Sequence, residues 1–356
     1  MTREMRHCLP KSEIIKAIEH KRPSRVPMIF HHYTPLRLYQ NRQEEFRQLL
    51  REYPTDVYFH IASMPPVWEE TWGIPGYSWM RRPAPAKTSD QSVGLDAEVA
   101  IEDWSQLDEV LERLPDPMAH KEFVRCEEDP YEIGDRYTCL HWWNCLFERA
   151  WKLRGMENLL MDFHLYPNEV HRLLDAITDF NCQMIRRAAR EVKPDGVWVT
   201  DDIGMQDRPF FMPETFRTFF KPYYARMFKT AHDCGMHFWL HSCGCITPFI
   251  EDLIEIGLDV LHPLQKYTMD EREIAARHGG RLCFWAGMDC QQILPRGTQE
   301  DVRKEIRFLV DTFDRPEGGC MLALGNVATD DVPLENLRAM FDEAYSYGLR
   351  HRQHRA

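Results

Sequence analysis

Short apolar segments alternate with amphipathic helical segments along nearly the whole chain. The predicted strands are residues 26–30, 56–61, 137–143, 196–200, 236–240, 258–261, 281–285 and 319–323. Helical periodicity follows each of them except the second. A strand joined through a helix to the next strand of the same sheet pairs with it in parallel. Eight such strands therefore favour an α/β fold of the closed (β/α)8 type, the TIM barrel.

The length of the chain fits either two average domains or one large barrel. It has 356 residues, and the strand count favours a single barrel domain over residues 1–356. Residues 64–100 are rich in Pro, Trp and Gly and show no helical period, which predicts a loop or hairpin insertion after the second strand. A doubly wound open sheet is the alternative, but the segment after the first predicted strand, HHYTP at 31–35, lacks a glycine-rich phosphate turn.

Charge and hydropathy exclude several classes of protein. Lys and Arg number 44 against 56 Asp and Glu, a formal net charge of -12, and the basic residues do not cluster, which argues against nucleic acid and anionic membranes as partners. The chain has no apolar run of about 18 residues, and its start lacks the apolar core of a signal peptide. We therefore expect a cytoplasmic protein whose eleven cysteines are thiols or metal ligands.

Polar residues follow the predicted strands. Enzymes with (β/α)8 barrels carry their catalytic groups at the C-terminal ends of the strands. The groups at these positions are His31 and His32, His60, His141, Asp201 and Asp202, His241 and Cys243, His262 and Gln265, Asp289, and Gly325 and Asn326. Only 16 histidines occur in the whole chain, so their concentration at the strand ends predicts a functional site there.

His241 and Cys243 form an HxC pair directly after the fifth predicted strand. Side chains two residues apart on an extended segment point to the same side. An imidazole nitrogen and a thiolate are both common ligands of zinc. The pair therefore predicts a metal site, with zinc as the expected cofactor, although isolated HxC pairs also arise by chance.

An ordered series of motifs resembles the uroporphyrinogen decarboxylase-like superfamily. The series comprises FER at 147–149, LRGMEN at 153–158, the stretch from HSCG at 241 to HPLQ at 262–265, FWAGMD at 284–289 and DVPLEN at 331–336. The resemblance spans roughly residues 12–348 and implies a (β/α)8 barrel, in agreement with the strand count.

The resemblance implies one of two chemistries. The decarboxylases of this superfamily use no metal and carry an Arg-rich segment after the first strand, whereas residues 31–37, HHYTPLR, lack the Arg pair. The other branch comprises zinc-dependent methyltransferases, which take a methyl group from a corrinoid protein and pass it to a thiol or a pterin. His241 and Cys243 match the HxC pair of those enzymes, so the resemblance implies a methyltransferase whose corrinoid is supplied by a partner protein.

The sequence departs from that branch at the third metal ligand. The related methyltransferases use a cysteine after the last strand, where this chain reads LALGNV at 322–327. Cys320 lies at the opposite end of that strand and is not a replacement. The candidates for the third ligand are Asp202, His32 and His262, in that order.

The other strand-end groups are assigned to proton transfer or substrate binding. Asp202, Asp201 and Gln265 are the candidate catalytic residues, with Asp202 preferred, because paired carboxylates at a barrel mouth can transfer protons. The candidate substrate-binding residues are His31, His32, His141, Asp289 and Asn326. Asp201 and Asp202 could equally cap the next helix, and Gln265 and Asn326 could simply join loops.

Two other functions stay open at the level of sequence. A decarboxylase or lyase acting on a small carboxylic acid would use Asp202 as the proton donor and the metal to hold a carboxylate. A barrel that binds a tetrapyrrole or corrinoid without turning it over is the non-enzymatic alternative. A small-molecule substrate is expected for either enzyme, and the chain could also form a homodimer.

Overall fold

The computed structural model describes residues 6–62, 99–114, 116–117, 123–125 and 129–354. Its strands are β1 (Val57–Ala62), β2 (Phe123–Arg125), β3 (Tyr137–Trp142), β4 (Gly196–Thr200), β5 (His237–His241), β6 (Val260–His262), β7 (Cys283–Met288) and β8 (Cys320–Leu324). Its α-helices are α1 (Lys11–Ile18), α2 (Gln43–Glu52), α3 (Leu107–Glu112), α4 (Phe147–Arg154), α5 (Met156–Leu165), α6 (Pro167–Glu191), α7 (Pro213–Phe219), α8 (Lys221–Asp233), α9 (Ile250–Glu255), α10 (Glu271–His278), α11 (Ile293–Arg296), α12 (Gln299–Phe313) and α13 (Leu334–His354). Short 3-10 helices lie at His31–Tyr33, Gln40–Arg42, Trp104–Gln106 and Thr247–Phe249.

The described strands form one curled sheet. Its order is β2, β1, β3, β4, β5, β6, β7, β8, and every pair is parallel except β1 with β2. Residues 27–29 connect the two ends of the parallel part: the Ile29 N–H donates to the carbonyl of Leu322, and the Asp56 N–H donates to the carbonyl of Met28, both at 2.9 Å. Sequential parallel strands of this kind are typical of a TIM-barrel-like α/β fold.

The first predicted strand, residues 26–30, differs in the structure. It is reduced to a single parallel bridge between Met28 and Leu322. Pro27 has no N–H to donate to a neighbouring strand, which limits regular pairing here. The predicted insertion, residues 64–100, lies outside the described residues except for its last two.

Large aromatic side chains fill the interior of the curled sheet. Trp198 and Trp285 are in edge contact with ring centroids 5.1 Å apart, and Trp239 lies 5.4 Å from Trp285. Phe59 contacts Trp198 at 5.2 Å. All four rings are buried, so the interior is a packed core beneath the strand ends. Within the described residues, no helix combines the length and hydropathy needed to cross a bilayer.

A buried ion pair joins the segments that precede β1. Both terminal nitrogens of Arg25 donate to the carboxylate of Asp56 at 2.7 Å. The same carboxylate accepts hydrogen bonds from the backbone N–H groups of Leu9 at 2.8 Å and Met28 at 2.7 Å. Asp56 is fully buried and Arg25 is 5% exposed. The pair therefore fixes three chain segments at the start of β1.

We expect the substitution Asp56→Asn to lower the free energy of unfolding by about 3–5 kcal/mol, because it leaves the buried Arg25 without a counter-charge. Chemical denaturation measures the change. The matched control is Asp233→Asn, which breaks a pair with Lys229 whose side chains are 73% (Lys229) and 62% (Asp233) exposed. This control should change the stability far less, since exposed ion pairs contribute little. Equal effects of the two substitutions would contradict the assigned role of Asp56.

Candidate metal centre

The register of the parallel sheet brings three strand ends together. His241 is paired with Thr200 on β4 and with His262 on β6. Asp202 follows Thr200 by two residues, and Cys243 follows His241 by two. In a parallel sheet the carboxyl ends of all strands meet at one edge. The polar groups that follow β4, β5 and β6 therefore converge at the C-terminal edge of the sheet.

Asp202, His241 and Cys243 form a cluster of candidate metal ligands. One ligand atom from each lies within 4.8 Å of the others. His241 Nε2 is 3.4 Å from Cys243 Sγ and 3.6 Å from Asp202 Oδ1. The Asp202 side chain is 41% exposed, so the cluster is open to solvent on one side. Nitrogen, sulfur and oxygen ligands at three positions, with a fourth left open, are typical of catalytic zinc sites.

Backbone contacts hold the loop after β5 against the loop after β4. The Cys243 N–H donates to Asp202 Oδ1 at 2.8 Å, and the Gly244 N–H donates to Gln265 Oε1 at 2.7 Å. Gly244 has a φ of +84°, and a Cβ at this position would overlap the backbone of Gly204. Glycine is therefore required for the two loops to approach closely. Gln265, a predicted catalytic residue, holds this loop in the structure.

The thiol of Cys243 lies in a mostly buried environment. Burial raises the pKa of this thiol well above its usual range, and the nearby carboxylate of Asp202 raises it further. Asn326 Nδ2 lies 3.7 Å from Sγ and donates to it, which favours the thiolate. A metal ion at the cluster would reverse the preference, because a coordinating thiol is deprotonated. This chemistry makes Cys243 suited to a metal ligand and disfavours a free nucleophilic thiolate.

His262 lies behind His241. The two Nδ1 atoms are 2.7 Å apart, and His262 Nε2 lies 2.8 Å from the carbonyl oxygen of Leu324. Burial lowers the pKa of His241, and it lowers that of His262 well below the usual value. Both imidazoles are therefore neutral at pH 7. Both nitrogens of His262 are engaged, so this candidate third ligand lies outside the cluster.

His32 and His141 lie deeper in the barrel. The ring centroids of His32 and His141 are 5.1 Å apart, and His141 stacks on Trp198 at 3.7 Å. Burial lowers the pKa of His32 to about 4. His141 Nδ1 lies 3.1 Å from the carbonyl of Trp198, so this nitrogen carries the proton. Its other nitrogen, Nε2, is buried without a hydrogen-bond partner in the described part of the chain.

The carboxylate of Asp201 is occupied by hydrogen bonds from other residues of the protein. Its carboxylate accepts hydrogen bonds from the backbone N–H groups of Phe147 at 2.9 Å and Glu148 at 2.8 Å, and from the hydroxyl of Tyr224. Burial raises the pKa of Asp201, although these hydrogen bonds oppose the shift. A carboxylate at the first backbone N–H groups of a helix stabilises that helix end. The side chain is therefore directed at α4 and away from the cluster of ligand atoms.

Two predicted substrate-binding residues also make structural contacts. His31 is 1% exposed, and its Nε2 lies 2.7 Å from the carbonyl oxygen of Leu50. Asp289 accepts hydrogen bonds from the backbone N–H groups of Gln291 and Ile293, each at 2.9 Å. These contacts resemble a helix cap at the start of α11.

Glu148 is a site residue that the strand-end argument did not include. It lies at the start of α4, and its carboxylate accepts a hydrogen bond from the backbone of Asp202. Burial raises the pKa of Glu148 to about 8, and the charge of Asp202 contributes to the shift. Its place in the FER motif, just after the end of β3, was the sequence signal that could have identified it.

Comparisons with known proteins identify the family and the fold of this chain. The sequence profile described as Uroporphyrinogen decarboxylase (URO-D) matches residues 147–347. A solved methyltransferase from Methanosarcina mazei is similar over 96% of this chain and 99% of that chain, with 15% sequence identity and a TM-score of 0.61. A solved glycosylated endo-beta-1,4-xylanase of glycoside hydrolase family 10 from Gloeophyllum trabeum aligns with 60% of this chain over 76% of the xylanase chain. The sequence identity is 10% and the TM-score is 0.38.

No curated protein sequence matches the chain significantly. At 15% identity, the likeness to the Methanosarcina mazei structure shows a shared fold. The profile match covers residues 147–347 of 356, which is more than half of the sequence. It includes the HxC pair and the strands β4 to β8. The chain therefore belongs to the uroporphyrinogen decarboxylase (URO-D) family.

Proposed function

We propose that this protein is a metal-dependent methyltransferase that moves a methyl group between a corrinoid protein and a thiol or pterin acceptor. The observation that carries the proposal is the cluster of Asp202, His241 and Cys243, whose candidate ligand atoms lie within 4.8 Å of one another. Family membership and the HxC pair support it. A protein of similar fold from Methanosarcina mazei is named as a methyltransferase, which is consistent with this function.

The donor set of the cluster fits zinc in charge and chemistry. A thiolate from Cys243 and a carboxylate from Asp202 together carry two negative charges, which balance the charge of Zn²⁺. The neutral imidazole of His241 completes three ligands of the types that zinc prefers. Asp202 would thus take the place of the third cysteine that the resemblance leads one to expect, with no change in the total ligand charge.

A bound zinc would lower the pKa of an acceptor thiol and hold it as the thiolate, the form that attacks a methyl group. Other side chains of this protein would orient the ligands and the substrate. Asn326 donates a hydrogen bond to Cys243 Sγ, which would keep this ligand oriented. His141 Nε2, buried and unpartnered among the described residues, would accept a hydrogen bond from a donor group of the substrate. The aromatic rings below would exclude water.

The corrinoid would reach the site on a separate protein. The cluster lies at the open edge of the barrel, where the Asp202 side chain is 41% exposed, so a cobalt-bound methyl group could approach it from solvent. The chain's net charge of -12 disfavours nucleic acid as a partner. The partners that we propose are therefore a corrinoid protein and a small-molecule acceptor.

A decarboxylase or lyase acting on a small carboxylic acid is the second candidate function. The description of the matching family favours it. In this alternative, Glu148 would supply the proton, because a carboxyl group with a pKa of about 8 is mostly protonated at pH 7 and lies beside Asp202. The sequence after the first predicted strand lacks the Arg pair of porphyrin decarboxylases, so a smaller acid would be the substrate.

We expect the purified protein to bind about one zinc ion per chain, as three protein ligands permit. The double variant with His241→Ala and Cys243→Ala should lose this zinc, because only Asp202 would be left to bind it. Metal analysis by mass spectrometry measures both. The matched control is Cys245→Ser, which alters a thiol outside the cluster and should keep the metal.

Two results would contradict the proposed metal centre. The first is a wild-type protein that stays metal-free after incubation with zinc. The second is a double variant that holds as much zinc as the wild type. A metal-free protein that still binds a corrinoid or a tetrapyrrole would support the non-enzymatic alternative.

We expect the zinc-loaded protein to demethylate free methylcobalamin in the presence of a thiol or a reduced pterin. The acceptor forms a bond to the methyl carbon while the cobalt–carbon bond breaks, and the electron pair stays on cobalt as Co(I). Cys243→Ala should lower this rate by about 100- to 1000-fold, because it removes several kcal/mol of metal-dependent stabilisation. The absorbance of methylcobalamin follows the reaction.

Assays of the same protein distinguish the decarboxylase or lyase from the methyltransferase. Release of carbon dioxide from small carboxylic acids, abolished by Glu148→Gln and unaffected by added methylcobalamin, would favour the decarboxylase. The absence of demethylation with every acceptor would then count against the methyltransferase.

A further inference from the structure

We infer that His262 is a positioning residue of the metal centre, which holds His241 in the tautomer whose Nε2 lone pair faces Asp202 and Cys243. This inference rests on the proposed metal site and extends it to a residue that contacts His241 but supplies no candidate ligand atom itself. Two hydrogen bonds each fix the location of one proton: the contact of His262 with Leu324 and the contact between His262 and His241.

The contact with Leu324 fixes the tautomer of His262. Its Nε2 lies 2.8 Å from the carbonyl oxygen of Leu324. A carbonyl oxygen only accepts hydrogen bonds, so Nε2 carries the proton. A neutral imidazole has one N–H group, and His262 therefore has a lone pair on Nδ1.

The contact with His262 in turn fixes the tautomer of His241. The Nδ1 atoms of His241 and His262 are 2.7 Å apart. Two facing lone pairs would repel at this distance, so the proton between them belongs to His241 Nδ1. The neutral ring of His241 then has its lone pair on Nε2, which lies 3.4 Å from Cys243 Sγ and 3.6 Å from Asp202 Oδ1. The lone pair is available where a metal ion would bind.

Packing keeps His262 in this orientation. Its ring stacks on Tyr33 with centroids 5.1 Å apart and an interplanar angle of 23°, and it contacts Trp285 at 4.4 Å. The hydroxyl of Tyr33 lies 3.2 Å from His262 Nδ1, a longer contact than the one from His241. Metal-binding histidines commonly donate their second N–H to a carboxylate or carbonyl oxygen, which fixes the tautomer. In this protein a second imidazole, that of His262, accepts that hydrogen bond, and the chain of hydrogen bonds ends on the backbone of β8.

Titration of the metal-free proteins with Co²⁺ tests this inference. Cobalt bound to a thiolate absorbs through charge transfer, so both its affinity and its ligand set can be read without an activity assay. We expect His262→Ala to weaken Co²⁺ binding by about 10- to 100-fold, the range found when the hydrogen-bond partner of a metal ligand is removed. His262→Asn should recover most of the affinity, because its side-chain oxygen can accept the proton of His241.

Tyr33→Phe is the matched control. It removes the longer contact to the same nitrogen and keeps the stacked ring, so it should bind Co²⁺ like the wild type. Thermal unfolding of each metal-free variant shows whether it is folded. Wild-type affinity and absorption in His262→Ala would overturn the inference, as would a loss in His262→Asn as large as that in His262→Ala. If the wild type itself shows no thiolate absorption with Co²⁺, the proposed metal centre fails before His262 is considered.

Discussion

The register of the parallel sheet is the constraint on which the candidate site depends. It pairs His241 with Thr200 on one side and with His262 on the other. Because side chains alternate along a strand, a shift of one residue in either pairing would turn an imidazole from the interior toward the surrounding helices. The packed tryptophans beneath the site oppose such a shift, since they fill the interior only in this register. The packing of the core therefore helps to hold the cluster in its observed geometry.

The composition of the cluster is consistent with electrostatic balance in the proposed metal centre. The two histidines at the site, His241 and His262, are buried and neutral, and burial disfavours their charged forms. The negative charges of a thiolate and a carboxylate need a cation in an environment of this kind. In the proposed metal centre a divalent metal would supply that charge, and Asp202 would provide it with an oxygen ligand where the family resemblance leads one to expect a cysteine. Such a replacement would change the ligand atom and keep the charge.

Several parts of this arrangement could be predicted from the sequence. The strands from β3 to β8 follow from apolar segments and helical periods, and the HxC pair was recognisable from its two-residue spacing. Asp202 was the first of three strand-end candidates for the third ligand, and the structure brings it to His241 and Cys243. The limited pairing of the first predicted strand was harder to predict from the sequence. Its apolar composition does not reveal how few strand-to-strand hydrogen bonds a segment with a proline makes.

The sequence by itself determined an α/β fold with a parallel sheet, the family and the edge of the sheet at which polar groups gather, because these depend on periodicity and on local motifs. Only the tertiary structure decided which contacts each polar group makes. Asp201 and Asp202 are adjacent in sequence, yet one caps α4 and the other faces His241. Likewise, His262 was a candidate ligand, and its contacts with His241 and Leu324 occupy both its nitrogens, so that it is not among the candidate ligands of the cluster. Such differences arise from contacts between distant segments, which no local pattern encodes.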